Sequence, residues 1–216
     1  MHLVHEHTSQ TYATDYFADF GIPVHHVLHT VFRPDKSFSG QYLARVLKTH
    51  PETYQNKSVL DMGCGTGLLG IICAMQGASS VFFSDVNPVV VENVLLNSKE
   101  MKLENIGVVS GDLFENIGKK RFDVIIFNPP GFSGNALNYI EATLVSPNRL
   151  IDKFFTQAPM YLSKIGRIIM PTSSLHDPDR TPFTLAKKYG YSFEILDEHK
   201  TENATQYTVM VQISGR

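Results

Sequence analysis

The sequence predicts an α/β fold: a Rossmann-like, seven-stranded, mostly parallel sheet with an antiparallel last strand, helices on both faces and a short N-terminal helical appendage. Three observations carry this expectation. Past residue 57, short runs rich in β-branched and aromatic residues alternate with stretches of helical period. A glycine-rich turn, Asp61 to Gly67, separates the first such run from the first helical stretch. The last two runs stand too close together for a crossover helix, so they must pair as a hairpin.

The strands are expected at 58–62, 80–84, 106–110, 122–127, 167–170, 191–196 and 206–213. The first five are too uniformly apolar for a sheet with one wet face, which puts helices on both sides. Leu68, Ile71, Ile72 and Met75 mark the first helix, and Gly77 stands where a left-handed residue would close it. Asn87-Pro88 opens the next helix, with Val91, Val94 and Leu95 as its buried stripe. Ser146-Pro147 repeats the device before Leu150, Ile151, Phe154 and Phe155, and Pro159 should kink or end that helix. Thr181-Pro182 repeats it before Leu185, with Gly190 as the stop. The final hairpin turns within His199 to Thr205. Residues 1–56 differ: Tyr12, Tyr16, Phe17 and Phe20 are helically spaced, and Arg33-Pro34-Asp35 breaks the chain before a helix around 41–48. They are expected to form an appendage, or substrate lid, packed on the sheet and over the site, with 57–216 carrying the main domain.

Composition narrows the function classes. The chain has 216 residues, 43% hydrophobic, enough to bury one continuous core. Nineteen Lys+Arg against twenty-one Asp+Glu give a formal charge of −2, so charge does not favour nucleic acid as a partner. No window approaches the roughly 18 apolar residues of a spanning helix, which argues against a membrane. Two cysteines, Cys64 and Cys73, cannot staple a fold of this size, and the start lacks the plan of a secretion signal, so a cytoplasmic setting is expected. Oligomeric state is not readable.

The glycine turn is the first candidate site. Glycines at a strand-to-helix junction permit positive φ and let backbone N–H groups approach a ligand, and the helix start adds partial positive charge. Gly65-Thr66-Gly67-Leu68-Leu69-Gly70 also satisfies the dinucleotide pattern, which keeps an NAD-dependent oxidoreductase open as an alternative. Asp61 at the strand end weighs against that reading, because its carboxylate would repel a pyrophosphate and suit a ligand carrying an ammonium group. The terminal hairpin also replaces the parallel sixth strand of the dinucleotide fold.

Here the sequence resembles the class I S-adenosylmethionine (SAM) dependent methyltransferases, in the Asn-Pro-Pro, amino-methylating branch that includes release-factor glutamine methyltransferases. The resemblance implies that SAM is the cofactor, with Gly63, Gly65 and Gly67 wrapping its methionine part and Asp61 near its amino group. Asp85, twenty residues after Gly65, is similar to the acid that accepts the ribose hydroxyls, and Asp112 to the residue that meets the adenine amino group. Metal is not required by this chemistry.

Asn128-Pro129-Pro130-Gly131-Phe132 follows the fourth strand, at the edge where open α/β sheets bind ligands. The prolines fix φ and remove N–H groups, leaving a stiff corner of acceptors. Asn128 and the Pro129 carbonyl can take the two hydrogens of one planar NH2 group and leave its lone pair aimed at an electrophile, so displacement needs orientation more than a base. Asn128, Pro129 and Pro130 are therefore the catalytic candidates, with Asn128 also facing the cofactor. The resembling motif has Tyr or Phe where this chain has Gly131, and Phe132 one place later is the candidate to stack on the substrate.

Arg33 and His29 complete the substrate-binding candidates. His25, His26 and His29 lack the glutamate of a zinc-protease helix, so one of them lining the acceptor pocket is preferred to a metal site. Lys119-Lys120-Arg121 and Lys187-Lys188 read as solvated faces. His2, His5 and His7 read as a solvated terminus, and Cys64 as a small loop residue. The expected function is a SAM-dependent methyltransferase (EC 2.1.1 type) acting on an amino or amide nitrogen of a small molecule or peptide side chain. RNA or release-factor amino-group methylation is the alternative. Selection of the substrate is assigned to residues 1–45, 131–145 and 171–181.

Overall fold

The computed structural model describes residues 10–12, 15–23, 25–139, 141–143, 145–147 and 149–213. The elements are β1 (Gln10–Tyr12), α1 (Asp15–Ala18), β2 (His25–Val27), α2 (Phe38–Thr49), β3 (Ser58–Met62), α3 (Leu68–Met75), β4 (Ser80–Asp85), α4 (Val89–Glu100), β5 (Ile106–Ser110) and β6 (Phe122–Phe127). They continue with β7 (Phe132–Ser133), β8 (Val145–Ser146), α5 (Arg149–Tyr161), β9 (Leu162–Ser173), α6 (Pro182–Tyr189), β10 (Ser192–Lys200) and β11 (Thr205–Gln212). The main sheet has the order β10-β11-β9-β6-β3-β4-β5. Strands β9, β6, β3, β4 and β5 are parallel, and β11 is antiparallel to both its neighbours.

Alternation along the central strands divides the interior in two. Val59, Val124, Ile126, Ile169 and Met210 face a core shared with Leu43, Leu47, Ile71 and Val94 of α2, α3 and α4. Leu60, Ile125, Phe127, Ile168 and Val209 face a second core with Phe154, Phe155 and Leu185 of α5 and α6. Helices thus cover both faces. Phe17, Ile22 and Tyr54 belong to the first core, so the N-terminal segment is part of the same body. Free Cys64 and Cys73 are buried.

Four expectations need correction. The N-terminal aromatics do not make one helix: Tyr12 lies in β1, which pairs with β2, and α1 spans only Asp15–Ala18. In α4 the buried stripe is Val90, Asn93, Val94 and Asn97, while Leu95 is 49% exposed. Asparagine reads as surface by type, but these two are clamps. Asn93 Oδ1 accepts from Leu28 N–H at 2.7 Å, and Asn97 Oδ1 accepts from His26 N–H at 2.7 Å. Met75, placed on the inner face of α3, is exposed at that helix's end. Strand β9 runs well beyond 167–170 on both sides: Ser163 and Lys164 lie in an irregular stretch between the Leu162 and Arg167 pairings with β6, and Thr172, loop-like by type, pairs with Tyr207 of β11.

Pro159 lies within the last turn of α5 and does not end it before Tyr161. A proline there cannot donate to the Phe155 carbonyl four residues back. That carbonyl accepts instead from the Tyr191 hydroxyl at 3.4 Å. The helix start at Thr181-Pro182 forms as read, with Thr181 Oγ1 accepting from Thr184 N–H, whereas at Asn87-Pro88 the helix begins one residue later, at Val89, with Pro88 at the cap and Asn87 Oδ1 accepting from Val89 N–H. Residues 2, 5 and 7 lie outside the described residues.

Candidate active site

An open cleft of about 800 Å³ lies across the carboxyl ends of β3, β4, β5 and β6. Its floor is built from the turn after each strand, as the parallel order dictates, and residues 30–32, 34 and 36–40 of the N-terminal segment form part of its wall.

Gly63, Gly65 and Gly67 have φ of +64°, +52° and +84°, so the turn between β3 and α3 depends on residues without a Cβ. The space beside Gly65 is open, leaving its backbone approachable. Asp85 Oδ2 accepts from Gly65 N–H and Oδ1 from Asn87 N–H, each at 2.9 Å. This carboxylate therefore holds the glycine turn and stays on the cleft wall with lone pairs to spare for hydroxyl donors. Burial raises its pKa. Asn87 extends the link outward, donating from Nδ2 to the Thr30 carbonyl at 3.0 Å.

Asp61 is placed differently from Asp85. It is 1% exposed and is absent from the cleft wall, with Oδ2 accepting from Gly70 N–H at 2.8 Å. Its Oδ1 is buried without a hydrogen-bond partner. Burial, with a smaller contribution from the charge of Asp85, lifts its pKa to about 7 against the ordinary 3.8. Asp112 reaches the cleft, but its carboxylate pairs with Lys153 Nζ at 2.5 Å. Val86, 53% exposed, and Leu113 supply apolar surface beside it.

Asn128, Pro129 and Pro130 follow β6 into the cleft, where the first turn of α2 abuts them: a Cβ on Gly40 would stand 3.5 Å from Asn128 Nδ2. Among the described residues the Asn128 amide makes no hydrogen bond, so both its ends are open to a ligand. Phe132, 51% exposed, lines the same space.

Two candidates lie elsewhere. Arg33 donates from Nε and Nη2 to the two oxygens of Asp35, at 2.9 and 2.5 Å, and is not on the cleft wall. His29 is exposed and off the cleft. Nor do the histidines converge: His25 is buried and stacked on Phe17 at 4.5 Å, while Nε2 of His26 lies 3.5 Å from Glu100. Among the described residues no cluster of three or more His, Cys, Asp or Glu could hold a metal. The histidine that does line the cleft is His176, within the segment 171–181 but not singled out by any local pattern.

The sequence and the fold have known counterparts. A family model described as the methyltransferase small domain matches residues 26–200. The chain belongs to that family. A Methanocaldococcus jannaschii protein, assigned by name as a protein N5-glutamine methyltransferase, is 35% identical over 172 residues, 69% of this chain and 86% of that one. The release factor glutamine methyltransferase of Borreliella burgdorferi is 25% identical over 207 residues, 85% of this chain and 72% of its own. Among solved structures, the T. thermophilus 16S rRNA methyltransferase RsmC in complex with AdoMet and guanosine superposes with a TM-score of 0.67 at 23% identity. That match covers 88% of this chain and 47% of RsmC, and at this identity it speaks for the fold.

The enzyme is a SAM-dependent methyltransferase, and the cleft residues fit that cofactor. The positive-φ turn would present backbone to the amino-acid part, Asp85 would present carboxylate oxygens to paired hydroxyls, and Val86 and Leu113 would present apolar surface to a planar base. When bound, SAM supplies an electrophilic methyl on a sulfonium centre. No helix is long and apolar enough to cross a membrane.

Proposed function

We propose that the enzyme methylates a side-chain amide nitrogen presented by a polypeptide. The observation that carries this reading is the open Asn128 amide on a proline-stiffened corner inside the cofactor cleft. Asn128 Oδ1 and the Pro129 carbonyl accept the two N–H donors of a planar NH2 group, and the fixed backbone turns its lone pair toward the methyl. The reacting nitrogen needs alignment because the departing group is a neutral thioether.

The cleft mouth supports a protein over RNA. Phe38, Phe132, Tyr139 and Leu175 line it and are 42–61% exposed, the kind of apolar surface a peptide loop covers. Among the acidic and basic lining residues stand one lysine, Lys36, and two aspartates, Asp85 and Asp112, a balance that offers a polyanion little attraction. The names of the two sequence relatives agree. Asp61 acts from beneath, holding α3 through Gly70, and Lys36 to Gly40 act with Gly131, Phe132, Tyr139 and Leu175 as the substrate-selecting wall.

The test is transfer of labelled methyl from SAM to fractionated protein, RNA and free amino acids, followed by mass spectrometry of the labelled product. Methyl on a glutamine or asparagine amide of a protein is expected. Label confined to RNA or to free metabolites would overturn the reading.

A further inference from the structure

Gly131 and His176 share one volume. A Cβ on Gly131 would lie 2.7 Å from His176 Nε2 and 2.9 Å from its Cδ2, closer than non-bonded atoms approach. The imidazole therefore occupies the place that a side chain at position 131 would take, directly beside the Asn-Pro-Pro corner.

The ring is held there on two sides. The backbone N–H of His176 donates to the Ser173 carbonyl at 3.1 Å, fixing the turn after β9, and Phe132 meets the ring edge-on with centroids 6.0 Å apart at 70°. Arg180 stands behind, its Nη1 donating to the Ser146 carbonyl at 3.1 Å and its Nη2 to Pro130 O at 3.4 Å. Burial first, and then the Arg180 charge, lower the His176 pKa, so the ring is neutral at physiological pH. A neutral imidazole carries one N–H donor and one acceptor. Among the described residues neither ring nitrogen is engaged in a hydrogen bond, and the residue lines the cleft.

An amide acceptor has a need that this ring answers. Asn128 and the Pro129 carbonyl take the NH2 hydrogens, which leaves the amide carbonyl oxygen without a donor. We infer that His176 is an acceptor-positioning residue, giving its ring N–H to the carbonyl oxygen of the substrate amide and so selecting amides over amines, which have no such oxygen. The inference rests on the amide reading of the corner.

The experiment compares His176→Phe, which keeps a ring without the N–H, and His176→Asn, which keeps a donor, in steady-state kinetics with SAM and the amide acceptor identified by the label transfer. His176→Phe should lower kcat/KM about tenfold or more, the effect of one lost hydrogen bond to the acceptor. His176→Asn should recover most of that loss, and SAM affinity by calorimetry should equal wild type in both. Equal kinetics of the Phe variant and wild type would overturn the inference while leaving amide methylation standing. So would a loss in which Asn fares no better than Phe, since that marks packing alone. If the labelled product is not an amide, the functional reading itself fails, and this role for His176 fails with it. As a separate check on the shared volume, Gly131→Ala should lower thermal stability in wild type and be nearly neutral in a His176→Ala background. Equal losses in the two backgrounds would contradict the geometry.

Discussion

Asp61→Asn isolates the consequence of burying an ionisable group beneath the glycine turn. The carboxyl is 1% exposed, one oxygen takes Gly70 N–H and the other has no partner. With a folded pKa raised to about 7 from 3.8, the folded chain keeps the proton where the unfolded chain has released it. Stability therefore falls as pH rises toward 7 and levels off above it. Integrating this linkage from pH 5 to pH 8.5 gives a loss of roughly 2.7 kcal/mol from this group. His25, buried with its pKa pushed down to about 3, acts in the opposite sense over the lower part of that window. Both proteins carry His25, so it cancels in their difference. Asparagine keeps an oxygen for Gly70 N–H and cannot ionise. Urea unfolding of the ligand-free wild type and variant at both pH values gives four free energies by linear extrapolation. The variant's change between the two pH values should be more favourable than wild type's by about 2–3 kcal/mol. Identical pH dependence would refute the claim that the Asp61 charge is uncompensated.

Other consequences follow from the same geometry. Asn128→Ala should leave SAM affinity by calorimetry nearly unchanged and lower kcat on the order of a hundredfold, since it removes acceptor alignment while the glycine turn and Asp85 stay in place; lost affinity with normal turnover would contradict that division of roles. Asn97 is 1% exposed and bonds His26 N–H, the His26 carbonyl and the Thr66 carbonyl. Its replacement by Ala should cost about 3 kcal/mol and lower Tm by roughly 9 °C, measured by calorimetric melting. An unchanged Tm would show that the N-terminal strand does not depend on the clamp.

The sheet was readable because its signals are local. Strands at 58–62, 106–110 and 122–127 match the observed bounds, each being a compact apolar run beside a turn. The extensions of β9 were not readable, since Leu162 and Thr172 enter the ladder through pairing with Phe122 and Tyr207 of distant strands and not through their own preference. The clamps Asn93 and Asn97 were hidden for a related reason: their burial depends on backbone N–H groups some 70 residues away, which no helical period announces. At the site, the glycine turn, Asp85 and the Asn-Pro-Pro corner were legible as short motifs at strand ends. Asp61 was legible as a residue but its depth was not, because a strand-end carboxylate reads the same whether it faces the ligand or the helix behind. Arg33 and His29 were drawn in by type and then spent elsewhere, Arg33 on Asp35 two residues away. His176 sits in a turn with no motif of its own. Its one trace in the sequence was Gly131 in place of the motif's aromatic residue, and that departure pointed to the neighbouring Phe132, not to a residue 45 positions away.

Calorimetric titration of SAM and of NAD into wild type and Asp85→Ala tests the central claim most directly, that the cleft holds SAM through the glycine turn and its carboxylate. Wild type should bind SAM and show no heat with NAD, and the folded variant should lose roughly a hundredfold or more in SAM affinity, as two hydroxyl partners of a carboxylate would dictate. NAD binding by wild type, or undiminished SAM binding by the variant, would contradict it.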